Sequence, residues 1–268
     1  MNDFADKVAL VTGGTSGFGD ATARSFAARG AAVLLTGRSS ERGDAVRRTI
    51  EDAGGTAAFI PGDVTDSAFC GRLIEEAVRH FGRLDVLVNC AGVVHIGAAD
   101  QTTDEAWRQV MAVNVDAPFH LSRAAISVFR NQGGGNIVNI ASELALVGQP
   151  GLAAYCASKG ALLQLTRAMA LDHAREDIRI NAVCAGGCDT PMLYEEFRQA
   201  GVDPKDGIPF AKDIIPVGRL GSADQIAAAV LFLASDAAGF ITGTAFAVDG
   251  GNTAGGFIAG AAVVKAGR

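Results

Sequence analysis

Seven short apolar segments recur along the chain, separated by longer stretches with helical periodicity. The apolar segments are Val8–Val11, Ala32–Leu35, Ala57–Ile60, Val86–Val88, Ile137–Ile140, Ile178–Val183 and Ala245–Val248. Most are continuous apolar runs, which is typical of strands buried on both faces of a parallel sheet. The helical stretches are Phe18–Ala28, Glu41–Asp52, Ser67–Phe81, Thr103–Phe129, Leu152–Ala174 and Ala223–Ser235. This alternation predicts βαβ units with right-handed crossovers, and therefore a doubly wound α/β fold.

Two segments depart from this alternation. Residues 189–220 contain four prolines and short helical pieces, and a long irregular segment of this kind predicts a lid over a substrate. Residues 252–268 form an apolar tail, interpreted as either a subunit contact or a disordered end. No internal repeat or low-complexity linker divides the chain. Residues 1–268 are therefore predicted to form one domain.

Composition excludes several classes of function. The net charge of −6 gives no basic surface for nucleic acid. The longest apolar runs fall short of the roughly 18 residues that a transmembrane helix needs, so we expect no membrane partner. The five cysteines are odd in number and include no CxxC pair, which argues against a disulfide framework or a zinc site. The N-terminus is polar and acidic, unlike a secretory signal, and a cytoplasmic enzyme fits best.

The first predicted strand leads directly into a glycine-rich turn, Gly13-Gly14-Thr15-Ser16-Gly17-Phe18-Gly19, and a helix follows. Glycines at such a turn let the backbone approach a pyrophosphate, and the helix N-terminus supplies free N–H groups. The spacing is G-x-x-x-G-x-G rather than G-x-G-x-x-G. The pattern predicts a dinucleotide site formed by Gly13, Thr15, Ser16, Gly17, Phe18 and Gly19.

The end of the second strand predicts which dinucleotide binds. A carboxylate there would take the 2′-hydroxyl of NAD, but the sequence is Thr36-Gly37-Arg38-Ser39-Ser40. Arg38 could bind a 2′-phosphate with Ser39 beside it, so NADP is the predicted cofactor. NAD remains the alternative, since a loop arginine can also be simply solvated.

Residues after the third and fourth strands complete the predicted cofactor site. Asp63-Val64 could meet the adenine, although Asp63 could equally cap the next helix. The small residues of Asn89-Cys90-Ala91-Gly92 leave room for a ribose, with Asn89, Ala91 and Gly92 as predicted contacts.

Tyr155 and Lys159 lie four residues apart in a predicted helix and therefore share one helical face. An ammonium beside a phenol favours the phenolate, and so lowers the phenol pKa toward a range useful for proton transfer. Many solvated helix faces carry such a pair, so its meaning depends on the other motifs.

Together these motifs resemble those of the short-chain dehydrogenase/reductase family, from Lys7 to Gly251. The matching pieces are the turn Thr12–Gly19, Asn89–Gly92, Asn114, Ser142, Tyr155–Lys159 and Val183–Thr190. The resemblance implies a Rossmann-type domain with a seven-stranded parallel sheet and helices on both faces. It also implies a nicotinamide cofactor and a homotetramer.

The resemblance assigns roles to individual residues. Tyr155 is the expected general acid/base, and Lys159 is expected to lower its pKa and bind the nicotinamide ribose. Ser142 is expected to hold the substrate oxygen, and Asn114 to anchor a water that reaches Lys159. Thr190 is expected at the nicotinamide carboxamide and Gly186 in the wall beside it. The family commonly has Pro-Gly where this chain has Ala185-Gly186, which predicts a looser loop.

The resulting hypothesis is an NADP(H)-dependent oxidoreductase that interconverts a small-molecule ketone, or a 3-oxoacyl group, and a secondary alcohol. An NAD-dependent secondary-alcohol dehydrogenase is the alternative, and a cofactor-binding regulatory protein without catalysis is a third. Glu143 and His95 flank the motifs. Glu143 would either favour a polar or cationic substrate or be a solvent-facing or capping carboxylate, and His95 would either border the pocket or be structural.

Overall fold

The seven strands form one parallel sheet. The computed structural model describes residues 3–255. In chain order, strands β1 to β7 are Val8–Thr12, Ala32–Gly37, Thr56–Pro61, Val86–Asn89, Gly135–Ile140, Ile178–Ala185 and Ala245–Val248. Their order across the sheet is β3-β2-β1-β4-β5-β6-β7, with every neighbouring pair parallel. The order reverses between β1 and β4, which is where doubly wound sheets open a ligand crevice at their carboxyl ends.

Helices cover both faces of the sheet. In chain order, α1 to α9 are Gly17–Ala28, Ser40–Asp52, Ser67–Phe81, Asp104–Met111, Ala117–Gln132, Ala153–His173, Pro191–Ala200, Pro204–Asp213 and Ala223–Ala234. This architecture confirms the predicted Rossmann-type fold and all seven strands to within two residues at each end.

Successive residues of one strand enter two separate hydrophobic cores. Ala9 and Val11 of β1 pack on the face covered by α1, α2 and α9, whereas Val8 and Leu10 pack on the face covered by α3, α5 and α6. All four side chains are at most 3 % exposed. Burial on both faces explains why β1 is apolar from Val8 to Val11, since a polar side chain on either face would lose its hydration.

The predicted helix Thr103–Phe129 is present as one continuous helical run, but its middle turn is π-helical. The chain forms α4, then the π-helical segment Ala112–Asp116, and then α5, and the residues at both junctions keep right-handed helical backbone angles. Pro118 has no N–H to bond the carbonyl four residues earlier, that of Asn114, so the regular α-helical bonding pattern is interrupted at this point. The π-helical turn contains Asn114, a predicted site residue.

Side-chain caps fix several helix starts. Asp66 caps α3 and Ser222 caps α9, as the sequence indicates. The predicted helix start at Thr103 implies a cap at Thr102, but Thr102 instead donates its hydroxyl to the Ala98 carbonyl, and Thr103 caps α4 by accepting from the Ala106 N–H at 3.1 Å.

The segment 189–220 contains α7 and α8, and each of these helices begins with a proline. Of the predicted tail 252–268, residues 256–268 lie outside the described residues. None of the helices in residues 3–255 is long and apolar enough to cross a membrane.

Candidate active site

A cleft of about 1010 Å³ opens at the carboxyl ends of β1 to β4. The hydroxyl of Thr12, at the end of β1, accepts from the N–H groups of Cys90 and Ala91 at 3.0 and 3.1 Å and so ties β1 to the segment after β4. Gly13 follows with φ +64°, and a Cβ there would lie 2.9 Å from the Ala91 Cα. Only glycine fits this close approach of two backbones.

The N-terminus of α1 faces the same cleft. Ser16 is its N-cap residue, but its side chain makes no capping bond to the helix N–H groups. Those N–H groups and the positive end of the helix dipole are therefore available to an anion. Gly19 is in the first turn, where a Cβ would lie 2.2 Å from the Gly13 carbonyl oxygen. The turn can hold a phosphate only because it lacks side chains at these points.

Two arginines lie at the far end of the cleft. Arg38 and Arg42 are both exposed and both line the cleft, and within residues 3–255 neither guanidinium makes a hydrogen bond or ion pair. Arg42 was not among the predicted site residues, although it lies four residues after Arg38, in the first turn of α2. Ser39 does not line the cleft, because its hydroxyl caps α2 by accepting from the Arg42 N–H at 3.3 Å.

Asp63 and Val64 line the cleft below the arginines. The Asp63 carboxylate accepts from the N–H and the hydroxyl of Thr65, both at 2.9 Å. It does not cap the next helix, because Asp66 does. The helix-capping alternative for Asp63 is therefore wrong, and the carboxylate is exposed at the cleft.

Two predicted cofactor contacts lie behind the cleft rather than along it. Asn89 is 2 % exposed, and its amide donates to Asn139 at 2.8 Å and to Ser122 at 3.3 Å. Gly186 packs against Asp249, whose Cα would lie 2.6 Å from a Cβ at that position. The predicted looser loop at Ala185 is not present, because Ala185 is a buried residue of β6 paired with Val248.

Ser142, Tyr155 and Lys159 are buried together beyond β5. Ser142 follows β5, and its Oγ accepts from the Leu144 N–H at 3.1 Å, which leaves the hydroxyl hydrogen free to donate. Tyr155 and Lys159 are in α6, and the Lys159 Nζ lies 5.6 Å from the centre of the Tyr155 ring. The Nζ donates to the Ile140 carbonyl at 2.8 Å. A Cβ on Gly92, which lines the cleft, would lie 3.6 Å from it, so the lysine adjoins the cleft.

Asn114 is fully buried at the π-helical segment. Its side chain exchanges two bonds of 2.9 Å with the backbone of Val93 and donates to Ser158 at 3.0 Å. The amide therefore fixes the segment after β4 against α6. Its predicted part in holding a water stays a prediction.

Burial governs the proton affinities of the central pair. It raises the pKa of Tyr155, and the nearby carboxylate of Glu196 raises it further, while a hydrogen bond with Ser142 acts in the opposite sense. Burial also lowers the pKa of Lys159 to about 8. The expected lowering of the Tyr155 pKa by Lys159 is absent, because loss of hydration penalises both charged forms.

Two carboxyl groups flank these residues, and the sequence pointed to only one of them, Glu143. Glu143 is 8 % exposed, so the solvent-facing interpretation is wrong. Glu196 lies in α7, and burial raises the pKa of each carboxyl to about 7. His95 Nε2 is buried against Gly97 without a partner among the described residues.

The residues of the cleft fit a dinucleotide. The crowded glycines leave a cradle for a pyrophosphate beside the α1 N-terminus, and the cleft extends from Arg38 past Gly92 to Thr190 and Met192. Residues 3–255 contain no cluster of potential metal ligands.

Comparison with known proteins identifies the family. Residues 13–253 match the family model described as "Enoyl-(Acyl carrier protein) reductase". An oxidoreductase of Thermotoga maritima, named as uncharacterised, is 44 % identical over 94 % of this chain and 99 % of its own length. The 2,5-dichloro-2,5-cyclohexadiene-1,4-diol dehydrogenase LinX of Sphingobium indicum is 40 % identical over 93 % of this chain and 97 % of its own. The crystal structure of levodione reductase superposes with a TM-score of 0.89 at 32 % identity, covering 94 % of this chain and 100 % of that one.

The chain belongs to the short-chain dehydrogenase/reductase family. Membership, together with the dehydrogenase relatives, makes it an NAD(P)-dependent oxidoreductase that acts on CH–OH groups.

Proposed function

We propose that the protein interconverts a secondary alcohol and a ketone with NADP(H), and that Tyr155 transfers the proton. The observation that carries the proposal is the burial of Ser142, Tyr155 and Lys159 next to the cofactor cleft. NADP⁺ accepts a hydride in oxidation and NADPH supplies one in reduction.

The residues of the chain would divide the remaining work. In reduction, Ser142 donates a hydrogen bond to the carbonyl oxygen and Tyr155 delivers the proton to it as negative charge develops there. In oxidation, the Tyr155 phenolate takes the proton of the alcohol. Lys159 is held at the cleft by the Ile140 carbonyl and would bind the nicotinamide ribose.

The segment 189–220 is proposed as the lid over the substrate. Met192 of α7 places its Sδ 3.9 Å from the Tyr155 hydroxyl and also lines the cleft. Tyr155 itself packs with Val94 and Leu152, which gives the site an apolar wall. Because LinX is named for a cyclohexadiene diol, secondary alcohols on a carbon ring are the first substrates to test.

A panel of ring alcohols and ketones, each followed at the nicotinamide absorbance with NADP(H) and with NAD(H), tests the function. Turnover of ketones with NADPH is expected. Turnover with NADH alone would favour the NAD-dependent alternative. Tight NADPH binding without turnover of any member, unchanged by Tyr155→Phe, would favour a regulatory protein instead.

Cofactor preference provides a mutational prediction. Each of the two exposed guanidinium groups should contribute about 1 kcal/mol to the binding of a 2′-phosphate. The double variant Arg38→Ala/Arg42→Ala should therefore bind NADPH about 30-fold more weakly. NADH affinity should stay within about twofold, because NADH lacks that phosphate. Fluorescence titration with both cofactors measures the two constants. Arg48→Ala, an exposed arginine of α2 that does not line the cleft, is the control. Tighter binding of NADH than NADPH by the unmodified protein would contradict the assignment.

The pH dependence should differ between the two directions. Since the pKa of Tyr155 is raised, the phenol is protonated at neutral pH and its phenolate fraction grows with pH. Lys159, with a pKa of about 8, stays mostly charged below that pH. Between about pH 6 and 8, kcat/KM for oxidation should rise at least 10-fold and that for reduction should not rise. The rise in oxidation is smaller than the about 100-fold that the phenolate fraction alone would give over two pH units, because Glu143 and Glu196 ionise in the same interval and favour the neutral phenol. An oxidation rate that is flat over this interval would argue against Tyr155 as the base.

A homotetramer is also proposed, from the family resemblance. Trp107 and Phe119 of α4 and α5 are 43 % and 41 % exposed, and Leu171 of α6 is 81 % exposed. Exposed apolar side chains of this size on neighbouring helices favour a subunit contact. Light scattering measures the mass.

A further inference from the structure

Glu143 has an unpaired oxygen inside the proposed active site. The residue directly follows Ser142 in the chain and is 8 % exposed. Its Oε2 is buried and has no hydrogen-bond partner among the described residues. A buried acceptor without a donor costs free energy, so its retention beside Ser142 indicates a donor that arrives from outside the chain.

Among the described residues, no cation pairs with this oxygen. The Oε2 lies 2.8 Å from the position that a Cβ on Gly186 would take, at the end of β6. The nearby side chain of Asn252 acts to lower the pKa of the carboxyl group, while the carboxylates of Asp249 and Glu196 are close enough to repel its charge. Burial raises the pKa of Glu143 to about 7, so the carboxyl group holds a proton part of the time at neutral pH. A hydroxyl donor from a bound molecule can replace that proton.

The carboxyl group is also close to the proposed chemistry. Its charge, like that of Glu196, acts on the Tyr155 phenol. The replacement of Gly186 by any larger residue would fill the space next to the Oε2. Ser142 precedes Glu143 in the chain, so Ser142, Tyr155 and the unpaired oxygen lie near one another at the carboxyl ends of β5 and β6.

We propose that Glu143 determines substrate specificity by accepting a hydrogen bond from a second hydroxyl group of the substrate, on the same ring as the reacting alcohol. The substrate class is thus a cyclic diol or the corresponding hydroxyketone. This inference rests on the proposed alcohol–ketone function and names the substrate of that same site.

A hydroxyl fits this position better than a charged group. A substrate carboxylate would face Glu143, Glu196 and Asp249, and like charges at short range disfavour binding. A substrate ammonium would be attracted by Glu143 but would enter a site that already holds the buried ammonium of Lys159. A hydroxyl satisfies the acceptor without adding a charge to be desolvated.

Matched substrates test the proposal on the unmodified protein. The 1,2-, 1,3- and 1,4-cyclohexanediols are each compared with their mono-O-methyl ethers, which keep the oxygen and remove the donor, and with cyclohexanol. We expect kcat/KM for the best diol to exceed that for its ether and for cyclohexanol about 10-fold or more. The corresponding hydroxycyclohexanecarboxylates and aminocyclohexanols should be poorer than the diol.

Two variants then locate the preference at Glu143. Glu143→Gln keeps a neutral acceptor and should reduce the diol-to-ether ratio about threefold to tenfold, while Glu143→Leu removes the acceptor and should abolish the preference. The exposed Glu105→Gln is the control. Melting temperature and NADPH affinity are measured for each variant. If Glu143→Leu does not fold, Glu143→Gln and the unmodified protein still decide.

The outcomes separate this inference from the function on which it rests. A wild-type protein that prefers the ether, cyclohexanol, the amine or the carboxylate overturns the diol assignment, even though it confirms alcohol turnover. An unchanged diol-to-ether ratio in Glu143→Gln and Glu143→Leu overturns the role of Glu143. Failure of every alcohol and ketone with either cofactor overturns the proposed function itself.

Discussion

Replacing Tyr155 by phenylalanine should reduce kcat by roughly 10²- to 10⁴-fold, the range expected when a general acid/base is removed. The phenol is the group proposed to exchange a proton with the substrate oxygen, whereas Ser142 is proposed only to donate a hydrogen bond to that oxygen. The substitution deletes one oxygen, which interacts with Ser142 and makes a weak 3.9 Å approach to the Met192 sulfur. Stability should therefore change little, by less than about 1 kcal/mol.

The measurement separates catalysis from binding. Steady-state rates in both directions give kcat and KM, and titration with NADPH gives the cofactor affinity, which should change less than threefold, since the proposed binding residues Arg38, Gly13 and Lys159 are untouched. Tyr194→Phe is a matched control, because Tyr194 is the second of the chain's two tyrosines. It lies in α7 at 40 % exposure. Its kcat should stay within about twofold of the unmodified enzyme.

Two results would contradict the role of Tyr155. One is a Tyr155→Phe enzyme that keeps more than about a tenth of kcat, which would assign the proton transfer to another group. The other is an equal loss in Tyr194→Phe, which would indicate that the lid and not the phenol limits the rate.

The fold could be predicted from the sequence because strands that are buried on both faces are continuous apolar runs. Val8 to Val11 of β1 each face one of two cores, so this run is apolar throughout and stands out from the amphipathic helices around it. The π-helical turn at Asn114 was harder to predict. Pro118 is also compatible with the first turn of a new helix, and only the packing of Asn114 against Val93 and Ser158 selects the π-helical turn at this position.

The motif residues of the site were also accessible from the sequence, since glycine turns and a Tyr–Lys pair have fixed local spacing. Side chains whose role depends on tertiary contacts were not. Ser39 is predicted to lie beside the 2′-phosphate, but its hydroxyl instead caps the start of α2. One interpretation of the sequence places the Glu143 carboxylate in solvent, but the ends of β6 and β7 bury it against Gly186 and Asp249. The direction of the Tyr155 pKa likewise depends on burial, which no local spacing specifies.

The second large effect is expected at Gly19. A Cβ at this position would lie 2.2 Å from the Gly13 carbonyl oxygen and 3.0 Å from the Gly14 Cα, both backbone atoms of the phosphate turn. In Gly19→Ala the turn must move away from α1, which costs roughly 1–3 kcal/mol of stability, as overpacking generally does. The same displacement separates the turn from the helix N–H groups, so NADPH affinity should fall about 100-fold or more, and kcat/KM with it.

Gly71→Ala distinguishes this steric effect from the general effect of alanine in a helix. Gly71 is also helical, in α3, and a Cβ there would meet nothing within 4 Å. Its replacement should raise stability by about 0.5–1 kcal/mol, because alanine favours the helix, and leave NADPH binding unchanged. Thermal melts should therefore show lower stability for Gly19→Ala and higher stability for Gly71→Ala. Cofactor titrations should show NADPH affinities that differ about 100-fold between the two variants. If Gly19→Ala binds NADPH as tightly as Gly71→Ala does, the pyrophosphate does not lie on this turn, and the placement of the cofactor along the cleft from Arg38 to Lys159 would have to be abandoned.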